Sequence, residues 1–335
     1  MKTLLFLLLC ISFAAGDKII TVASYNVENL FDLNKDGYEY PEYIPYTVSN
    51  WNKATYKIKL ENIAKVIQDI DADIIALQEV ESLEALRDLR FELKQNGLYY
   101  QYYKIADKKN TNIKVALLSK IPFVYTQEIS VSASYQHRNI LEVKFTLYSK
   151  DFYVFINHWK AKTGPESKRI LSAKALQKRI KQIGYEKNII LLGDFNSDYE
   201  EYLKFERKRA HNDTNGKTGI NHVLKSINQV QKASLLTYEK ENFYNLWYDT
   251  NEYERYTYIY KGNKEALDNI LISQSLLNKK DMYYKESSIS SFKPKYLLKG
   301  KGINKWHTST KKPQVHKGKG FSDHLPIFAK FVVTE

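Results

Sequence analysis

Apolar and polar positions along the chain form two kinds of pattern, short apolar runs and longer stretches with helical spacing. Residues 18–26 alternate as a strand does, and the run 73–77 is typical of a buried strand. Apolar side chains within 54–70 recur every three or four positions, which predicts a helix, and a second helix is predicted over 83–96. Further strands are predicted at 98–105, 113–119, 140–147, 151–157 and 188–192, with a third helix at 166–183 and apolar runs at 270–272 and 327–333.

Six short polar patches lie at the ends or beginnings of these apolar runs. Because strands alternate with helices and polar groups gather where strands end, the pattern predicts an α/β architecture with a site at one edge of packed sheets. Patches so far apart in sequence favour a site assembled from loops of one domain over a local binding motif. The patches are residues 24–28, 77–80, 157–159, 193–196, 267–269 and 322–324.

The first residues predict a signal for export. Lys2 precedes an apolar run over 4–13, and the small residues 14–16 suit cleavage. The run is too short for a membrane-spanning helix. Cys10 raises the alternative of a lipid anchor, but the leucines before it lack the small residues expected there. We therefore expect an exported protein, periplasmic or secreted, from which residues 1–16 are removed.

Residues 17–335 are expected to fold as a single domain. A hydrophobic fraction of 43% is enough for a large core, and no Pro- or Ser-rich linker interrupts the chain. The stretch 199–245 is rich in turn-forming and basic residues, which predicts a solvated insertion or a lid. Cys10 is the single cysteine, so the mature chain would have no disulfide, no thiol nucleophile and no zinc held by cysteines.

The net charge of the chain is strongly positive. A formal charge of +13 suggests an anionic partner, such as nucleic acid or a membrane surface. The basic residues are mostly lysines, however, and Tyr, Asn and Ile are also abundant, as a bias in coding would produce. The charge by itself therefore does not decide the partner.

The polar patches contain the residue types that metal-assisted cleavage of a phosphate ester needs. This reaction requires an oriented water, neutralisation of charge on the phosphate oxygens, and help for the leaving oxygen; magnesium, which prefers oxygen ligands, suits it. Glu79 lies at the exit of a predicted strand and is a candidate metal ligand, with Asn26 and Asp323 as further oxygen ligands. Taken singly, each of these residues also fits a cap or a turn.

Further patches supply candidates for proton transfer and phosphate binding. Asp194 and Asn196 flank an aromatic residue, and in an extended segment both would point to one face, although a turn after a buried strand is the alternative. His324 needs a partner that fixes its tautomer, and Asp268 is the candidate. His158 follows a hydrophobic strand, a position that a buried structural histidine also occupies.

In this order, the motifs Asn-Val-Glu, Gln-Glu, Asn-His-Trp, Gly-Asp-Phe-Asn, Leu-Asp and Ser-Asp-His-x-Pro resemble those of the endonuclease/exonuclease/phosphatase superfamily, which has the DNase-I-like fold. The resemblance extends over residues 24–328. It implies a four-layered α/β sandwich, in which two mixed β-sheets pack together with helices outside. It also implies a bound divalent cation, Mg²⁺ in the first place, with Mn²⁺ or Ca²⁺ as further options.

The resemblance implies roles at the metal and at the attacking water. Asn26 and Glu79 would lie at the metal, with Asp323 nearby. Asp194 would orient or activate the water, and Asn196 would hold the phosphate.

The resemblance implies further roles at the phosphate itself. His324, supported by Asp268, would contact the scissile phosphate. His158 matches the histidine that assists the leaving group in the DNase-like branch. Arg138 matches a basic position that contacts phosphate in some members.

The segment 293–321 contains nine lysines and no acidic residue, and it ends directly before the patch 322–324. A basic loop that carries an aromatic residue suits a nucleic-acid backbone, so Lys317, Lys319 and Trp306 are predicted to bind substrate. A solvated lysine loop without a ligand is the alternative.

Three hypotheses on function follow from the sequence. The first is an exported, metal-dependent phosphodiesterase, an endonuclease that cleaves DNA or RNA without strong sequence preference. The second keeps the catalytic site but takes a membrane lipid or an inositol phosphate as substrate. The third is a binding protein that has lost the chemistry, which the presence of all matched polar residues disfavours.

Overall fold

The computed structural model describes residues 16–205, 211–226 and 240–335, so the predicted export signal lies outside the described residues except for its last residue. The helices are α1 (Lys53–Ile70), α2 (Leu83–Gln95), α3 (Glu166–Ile183) and α4 (Glu201–Lys204). The strands are β1 (Lys18–Leu30), β2 (Ile74–Val80), β3 (Tyr102–Ile105), β4 (Lys114–Ser119), β5 (Phe123–Ile129), β6 (Ile140–Leu147), β7 (Lys150–His158), β8 (Asn188–Asp194), β9 (Tyr244–Asn245), β10 (Tyr258–Tyr260), β11 (Asn263–Glu265), β12 (Asp268–Ile272), β13 (Met282–Tyr284), β14 (Ser290–Ser291), β15 (Leu298–Lys299), β16 (Gly302–Ile303) and β17 (Ile327–Val333).

Most of the strands belong to two large mixed sheets. The first sheet has the order β13-β17-β1-β2-β4-β3, with β14 beside β17, and the second has the order β5-β6-β7-β8-β12-β9. In the first sheet β1 and β2 are parallel, whereas β17 runs antiparallel to β1. In the second sheet β7 and β8 are parallel, whereas β12 runs antiparallel to β8. The two sheets thus have the same arrangement at their centres.

Alternation along the central strands produces the layers. Val22 of β1 and Val154 of β7 lie in a common core between the sheets. Their neighbours point the other way, since successive side chains of a strand face opposite sides. Tyr25 packs with α1 and α2, and Phe155 packs with α3. The result is the expected four-layered sandwich of helices, sheet, sheet and helix.

The direction of the strands brings the polar patches to one edge. The carboxyl ends of the parallel pair β1 and β2 lie at the same edge as the beginning of β17, which runs the opposite way. In the second sheet the ends of β7 and β8 lie beside the beginning of β12, where Asp268 pairs with Asp194. A patch that follows a parallel strand therefore meets a patch that precedes an antiparallel one.

The sequence patterns miss both edge strands of the second sheet, β5 and the two-residue β9. β5 is the outermost strand beside β6, and most of its side chains are only partly buried. Because it has no consistently buried face, it shows neither the alternation nor the apolar run by which strands are recognised. The helices and the central strands lie close to their predicted bounds.

Part of the stretch 199–245 packs against the rest of the protein, unlike a solvated insertion, whereas residues 211–217 are partly or fully exposed. A π-helical turn, Gly219–Val223, packs against α3, and Ile220 is fully buried there. Glu166 of α3 accepts a hydrogen bond from the Gly219 N–H at 2.8 Å. The turn-rich residues before this short apolar segment conceal it in the sequence. The basic run 207–209 lies outside the described residues, and a role of the stretch as a lid stays a prediction.

Within the described part of the chain, no helix combines the length and the apolar character that crossing a membrane requires.

Candidate active site

The candidate site lies in a cleft of about 880 Å³ at the shared edge of the two sheets. Both sheets contribute to it, because the polar patches at their strand ends face one another. Asn26 and Asp268 contact the lining residues from behind. The predicted residues that line the cleft are Glu79, Arg138, His158, Asp194, Asn196, Asp323 and His324.

Irregular backbone at the ends of β1 and β2 aims Glu79 into the cleft. The pairing of β1 with β2 shifts between Asn26 and Leu30, and Glu79 has a φ of 66°. Left-handed backbone at a residue other than glycine costs about 1 kcal/mol, so it persists where contacts hold it. Here the Asn29 N–H donates to Glu79 Oε2 at 3.0 Å, and Asn26 Nδ2 donates to Glu79 Oε1 at 3.2 Å.

Asn26 connects the two sheets. Its side-chain amide also donates to Asp194 Oδ2 at 3.1 Å, while its oxygen accepts from the Glu28 N–H at 3.0 Å. This orientation makes Asn26 a hydrogen-bond donor to two carboxylates, which positions both of them. Its predicted role as an oxygen ligand of the metal stays a prediction.

Asp194 is a buried carboxylate surrounded by donors. Its Oδ1 accepts from the Asn196 N–H at 2.8 Å, and its Oδ2 accepts from Asn26 Nδ2 and Asn196 Nδ2, both at 3.1 Å. Burial raises the pKa of Asp194 to about 7; the His324 charge lowers it in part, and Asp268 and Glu79 raise it further. Asp194 therefore accepts and releases a proton close to neutral pH.

Asn196 reaches Asp194 by a turn and not by an extended segment, which is the second of the two alternatives that the sequence left open. Its φ is 47°, in the left-handed region that asparagine tolerates. Its Nδ2 donates to Asp194 Oδ2 and to the Trp159 carbonyl at 3.2 Å. Both amide protons are thus engaged within the protein. The predicted contact of Asn196 with phosphate requires one of these bonds to open.

His324 and Asp268 form the pair that the sequence predicts. His324 Nδ1 lies 2.7 Å from Asp268 Oδ2, and His324 Nε2 lies 4.0 Å from Asp194 Oδ2. Burial by itself lowers the pKa of His324, but the Asp268 and Asp194 carboxylates raise it, and the net pKa is well above its usual value. His324 is therefore an imidazolium near neutral pH, and its Nε2–H points toward the cleft as a donor.

His158 has the opposite electrostatic environment. Burial, together with the charges of Arg138 and His324, lowers the pKa of His158 well below its usual value. Its Nε2 lies 3.5 Å from Asp194 Oδ2 and 3.8 Å from Glu79 Oε1. Its Nδ1 is buried without a hydrogen-bond partner among the described residues. The site thus holds one neutral and one charged imidazole, both close to the same oxygen of Asp194.

Three carboxylates, Glu28, Glu79 and Asp323, interact electrostatically where β1 and β2 end and β17 begins. Burial raises the pKa of Glu79, and the Asp323 charge raises it further. Burial and the same Asp323 charge raise the pKa of Glu28 to about 8. Carboxylate oxygens crowded into a partly enclosed site are the hard donors that Mg²⁺ prefers. Glu79 and Asp323 therefore suit the predicted metal, and Glu28 lies beside them.

A second group of candidate metal ligands consists of Asp194, Asp268 and His324, whose donor atoms lie within 4.8 Å of one another. His324 Nδ1 is engaged by Asp268, and the raised pKa of His324 keeps its ring protonated. A protonated imidazole has no lone pair for a metal. This group is better suited to proton transfer than to metal binding.

The structure corrects one prediction for the lysine-rich segment 293–321. Trp306 is only 2% exposed; it packs against Trp51 and donates from Nε1 to His316 Nδ1 at 2.8 Å. A buried indole cannot stack on a base, so its predicted role in binding substrate is wrong. Lys317 and Lys319 are exposed and do not line the cleft. Their contact with substrate stays a prediction.

Two residues at or near the cleft, Tyr258 and Lys59, were not among the predicted site residues. Tyr258 of β10 lines the cleft, and its ring lies 4.9 Å from that of His324. Lys59 of α1 is fully buried, and its Nζ donates to the carbonyls of Glu28 at 2.8 Å and Phe321 at 3.2 Å. Lys59 follows Tyr56 by three positions, on the apolar face of α1. That placement was the available signal, since a lysine there must find partners inside.

The fold and the cleft define a class of α/β enzymes that place acids, imidazoles and amides at one edge of two packed sheets. The chain belongs to the Endonuclease/Exonuclease/phosphatase family, whose model matches residues 21–224 and 216–332. Members of this family hydrolyse phosphoester bonds and depend on divalent metals. No curated protein sequence matches the chain significantly.

Solved structures share the fold at low sequence identity. A family member from Bacteroides thetaiotaomicron is 17% identical with a TM-score of 0.56, over 96% of this chain and 100% of that chain. TDP2 of D. rerio in complex with a single-strand DNA product is 14% identical, with a TM-score of 0.57 over 94% and 99%. A mannosyl-6-phosphatase of B. thetaiotaomicron is 16% identical, with a TM-score of 0.54 over 93% and 99%.

Proposed function

We propose that this protein is a divalent-metal-dependent phosphodiester hydrolase, a non-specific endonuclease that acts on DNA or RNA. One observation carries the proposal. Both imidazoles, His158 and His324, lie within 4.0 Å of the Asp194 carboxylate, and their pKa values are shifted in opposite directions. Titratable groups whose environments separate their pKa values are typical of acid–base sites.

Asp194 and His324 would act on the water and the phosphate. Asp194, with a pKa of about 7, is poised to hold and deprotonate the attacking water near neutral pH. The His324 imidazolium donates from Nε2 to a non-bridging phosphate oxygen and stabilises the charge that develops there. Asp268 keeps His324 charged and oriented through the 2.7 Å contact.

His158, Asn196 and Arg138 would complete the site around the phosphate. His158 lies beside the same Asp194 oxygen as His324, where its neutral ring would donate an N–H hydrogen bond to the leaving oxygen. Arg138 lines the same cleft, and its Nη1 donates to the Trp159 carbonyl at 3.1 Å, which fixes the guanidinium beside the phosphate position. Asn196 orients Asp194, and its amide would bind a phosphate oxygen after one of its two hydrogen bonds opens.

Glu79 and Asp323 would hold Mg²⁺, with Asn26 orienting Glu79; Mn²⁺ or Ca²⁺ would use the same oxygen donors. A bound divalent cation supplies Lewis-acid stabilisation of the phosphate charge and of the leaving oxygen. Its binding would also relieve the repulsion that acts on Glu79 and so lower the raised pKa of that carboxylate.

Several observations support a nucleic-acid substrate. The net charge is +13, and two tyrosines of β10, Tyr258 and Tyr260, line the cleft and offer rings for stacking. One structure that shares the fold, TDP2, was solved with a single-strand DNA product.

Incubation of the purified protein with plasmid DNA, single-stranded DNA and RNA tests this proposal directly. We expect cleavage of at least one polymer with Mg²⁺, its loss with excess chelator, and its return when metal is added back. Asp194→Asn is the inactive control. Absence of metal-dependent cleavage of all three polymers would overturn the proposal.

A second candidate function is the hydrolysis of a sugar phosphate monoester. One arm of the cleft is lined by Asp198, Glu201 and Glu265 beside lysines, and such balanced donors and acceptors suit sugar hydroxyl groups. A mannosyl-6-phosphatase shares the fold. Release of inorganic phosphate from sugar phosphates, with nucleic acids left intact, would favour this candidate.

We further propose that the protein is exported to the periplasm or the medium, on the basis of the pattern in residues 1–16. The phospholipid alternative has no support among the described residues. Expression of the full chain with fractionation tests the location: the mature protein should start at residue 17 and be found outside the cytoplasm. Retention of residues 1–16 on a cytoplasmic product would contradict it.

A further inference from the structure

The cations in and beside the cleft differ in their partners. At the end formed by β11 and α4, Lys162 Nζ lies 3.0 Å from Glu201 and 2.9 Å from Glu265, and Lys204 Nζ lies 2.9 Å from Asp198. These charges are neutralised within the protein. A phosphate that binds there must first displace an ion pair.

Elsewhere, Arg138 lines the cleft and Lys160 lies beside it without lining it, and neither forms an ion pair with a carboxylate among the described residues. Arg138 donates to a backbone carbonyl, and no hydrogen bond or ion pair engages the Lys160 ammonium within the described chain. Burial lowers the pKa of Lys160, and the charges of Arg138 and Lys168 lower it further. Positive charges thus crowd together around Lys160 without an ion pair that neutralises them, as in a site that binds an anion.

The backbone that carries Lys160 is held rigidly. Arg169 Nη1 donates to the carbonyls of Lys160, Ala161 and Gly164 at 3.1 to 3.2 Å. Arg169 itself is buried, and its Nε lies 2.6 Å from Glu166 Oε2. The loop that follows β7 is therefore fixed, and Lys160 needs only its side chain to move when it meets a ligand. A fixed position lowers the entropic cost of binding.

A second, smaller concavity of about 130 Å³ adjoins the cleft at Arg138, which lines both. Tyr40, Tyr135 and Lys160 line it together with neutral polar residues, and no acidic residue is among those lining it. The ring of Tyr40 packs against that of Phe31, with 5.4 Å between the ring centroids, whereas Tyr135 is 66% exposed. The concavity thus joins unpaired cations with two aromatic rings beside the catalytic cleft.

We propose that this concavity binds the phosphate next to the scissile phosphate in a single-stranded nucleic acid, with Lys160 as the main contact and Arg138 between the two phosphates. Tyr40 and Tyr135 then face the intervening nucleoside, whose base is free to stack because it is unpaired. This inference rests on the proposed nuclease function. It also predicts the path of the bound nucleic acid, which continues from the scissile phosphate toward Lys160 and not toward Lys162.

Binding of a labelled oligothymidylate in the presence of chelator tests the subsite without cleavage. Lys160→Gln should weaken binding about fivefold at low salt and reduce the slope of log K against log salt by about 0.7, the value for one lost phosphate contact on a single strand. Lys178→Gln, which removes an exposed lysine of α3, is the matched control and should leave the slope unchanged. A slope for Lys160→Gln equal to that of the wild type would overturn the proposal.

Kinetics with two substrates separate failure of the subsite from failure of the proposed function. Bis(4-nitrophenyl) phosphate has a single phosphate, whereas oligothymidylate has further phosphates next to the scissile phosphate. Lys160→Gln should lower the ratio of kcat/KM for the oligonucleotide over the small diester about fivefold, and Lys160→Arg should restore it. An unchanged ratio in an active enzyme overturns the subsite. If the wild type cleaves neither substrate with metal, the nuclease proposal fails, and the binding experiment still decides the subsite.

Discussion

The strand-end cleft and the lysine-rich segment 293–321 both contain residues that suit a phosphate substrate, but the fold uses them differently. In the cleft, Glu79 and Asp194 lie at the ends of β2 and β8, and His324 lies shortly before β17. Asn26 donates to both carboxylates, and His324 Nε2 lies 4.0 Å from Asp194 Oδ2. In the segment, the aromatic residue Trp306 is buried and the lysines at 317 and 319 point to solvent.

The difference teaches that position relative to the sheets matters more than local composition. The polar patches are aimed by strand direction, because parallel and antiparallel neighbours end and begin at one edge. Nothing comparable aims the lysines, whose loop is held instead by the packing of Trp306 and by Asn62 Nδ2, which donates to the Gly320 carbonyl at 2.8 Å. The segment contributes mainly a scaffold that leads to His324.

The largest expected effect is on turnover. Asp194→Asn removes the group that accepts a proton from water but keeps the donors around it, so we expect kcat/KM for DNA to fall by about 10³-fold or more. Thermal unfolding should still show one cooperative transition. A variant that retains more than a tenth of the activity would show that the catalytic centre lies elsewhere, and the cleft would then have no stronger claim to the substrate than the segment.

The next largest effect is on stability and not on chemistry. Trp306→Ala should lower the free energy of unfolding by about 3 to 5 kcal/mol, because it leaves a cavity beside Trp51 and removes the bond to His316. Urea unfolding followed by fluorescence or circular dichroism measures the change. Trp306→Phe is the control and should cost less. Loss of DNA binding without loss of stability would restore Trp306 as a substrate contact.

A smaller effect, with a defined pH dependence, is expected at the His324 pair. The Asp268 charge raises the pKa of His324, so Asp268→Asn should lower that pKa and deplete the imidazolium at a lower pH. The alkaline limb of kcat/KM should therefore move to lower pH, with about a 10²-fold loss at neutral pH. Profiles of wild type and variant, measured at one metal concentration, test this. A loss of activity with an unmoved limb would mean that Asp268 only supports the fold.

The smallest effect is expected at the two lysines outside the cleft. Lys317→Gln combined with Lys319→Gln removes exposed charges that do not line it, so kcat/KM for a short oligonucleotide should change less than about threefold. A loss of kcat/KM beyond tenfold would show that the segment contacts substrate as the cleft does.

The main elements could be predicted from the sequence, and so could several polar residues that line the cleft, because both depend on short-range patterns. Buried strands are recognised by apolar runs and helices by spacing, and the polar residues follow directly after them. β5 escaped because it has no buried face, and the buried segment at 219–224 escaped because polar turns surround it.

Side-chain orientation, by contrast, was decided by the tertiary structure. The turn at Asn196, the inward placement of Trp306 and the ion pairs that neutralise Lys162 all involve partners distant in sequence or backbone angles that adjacent residues do not dictate. The sequence shows that a lysine and a tryptophan are present, but not whether the charge is paired or the ring is buried. Only packing decides whether a carboxylate has already neutralised the lysine and whether water reaches the ring.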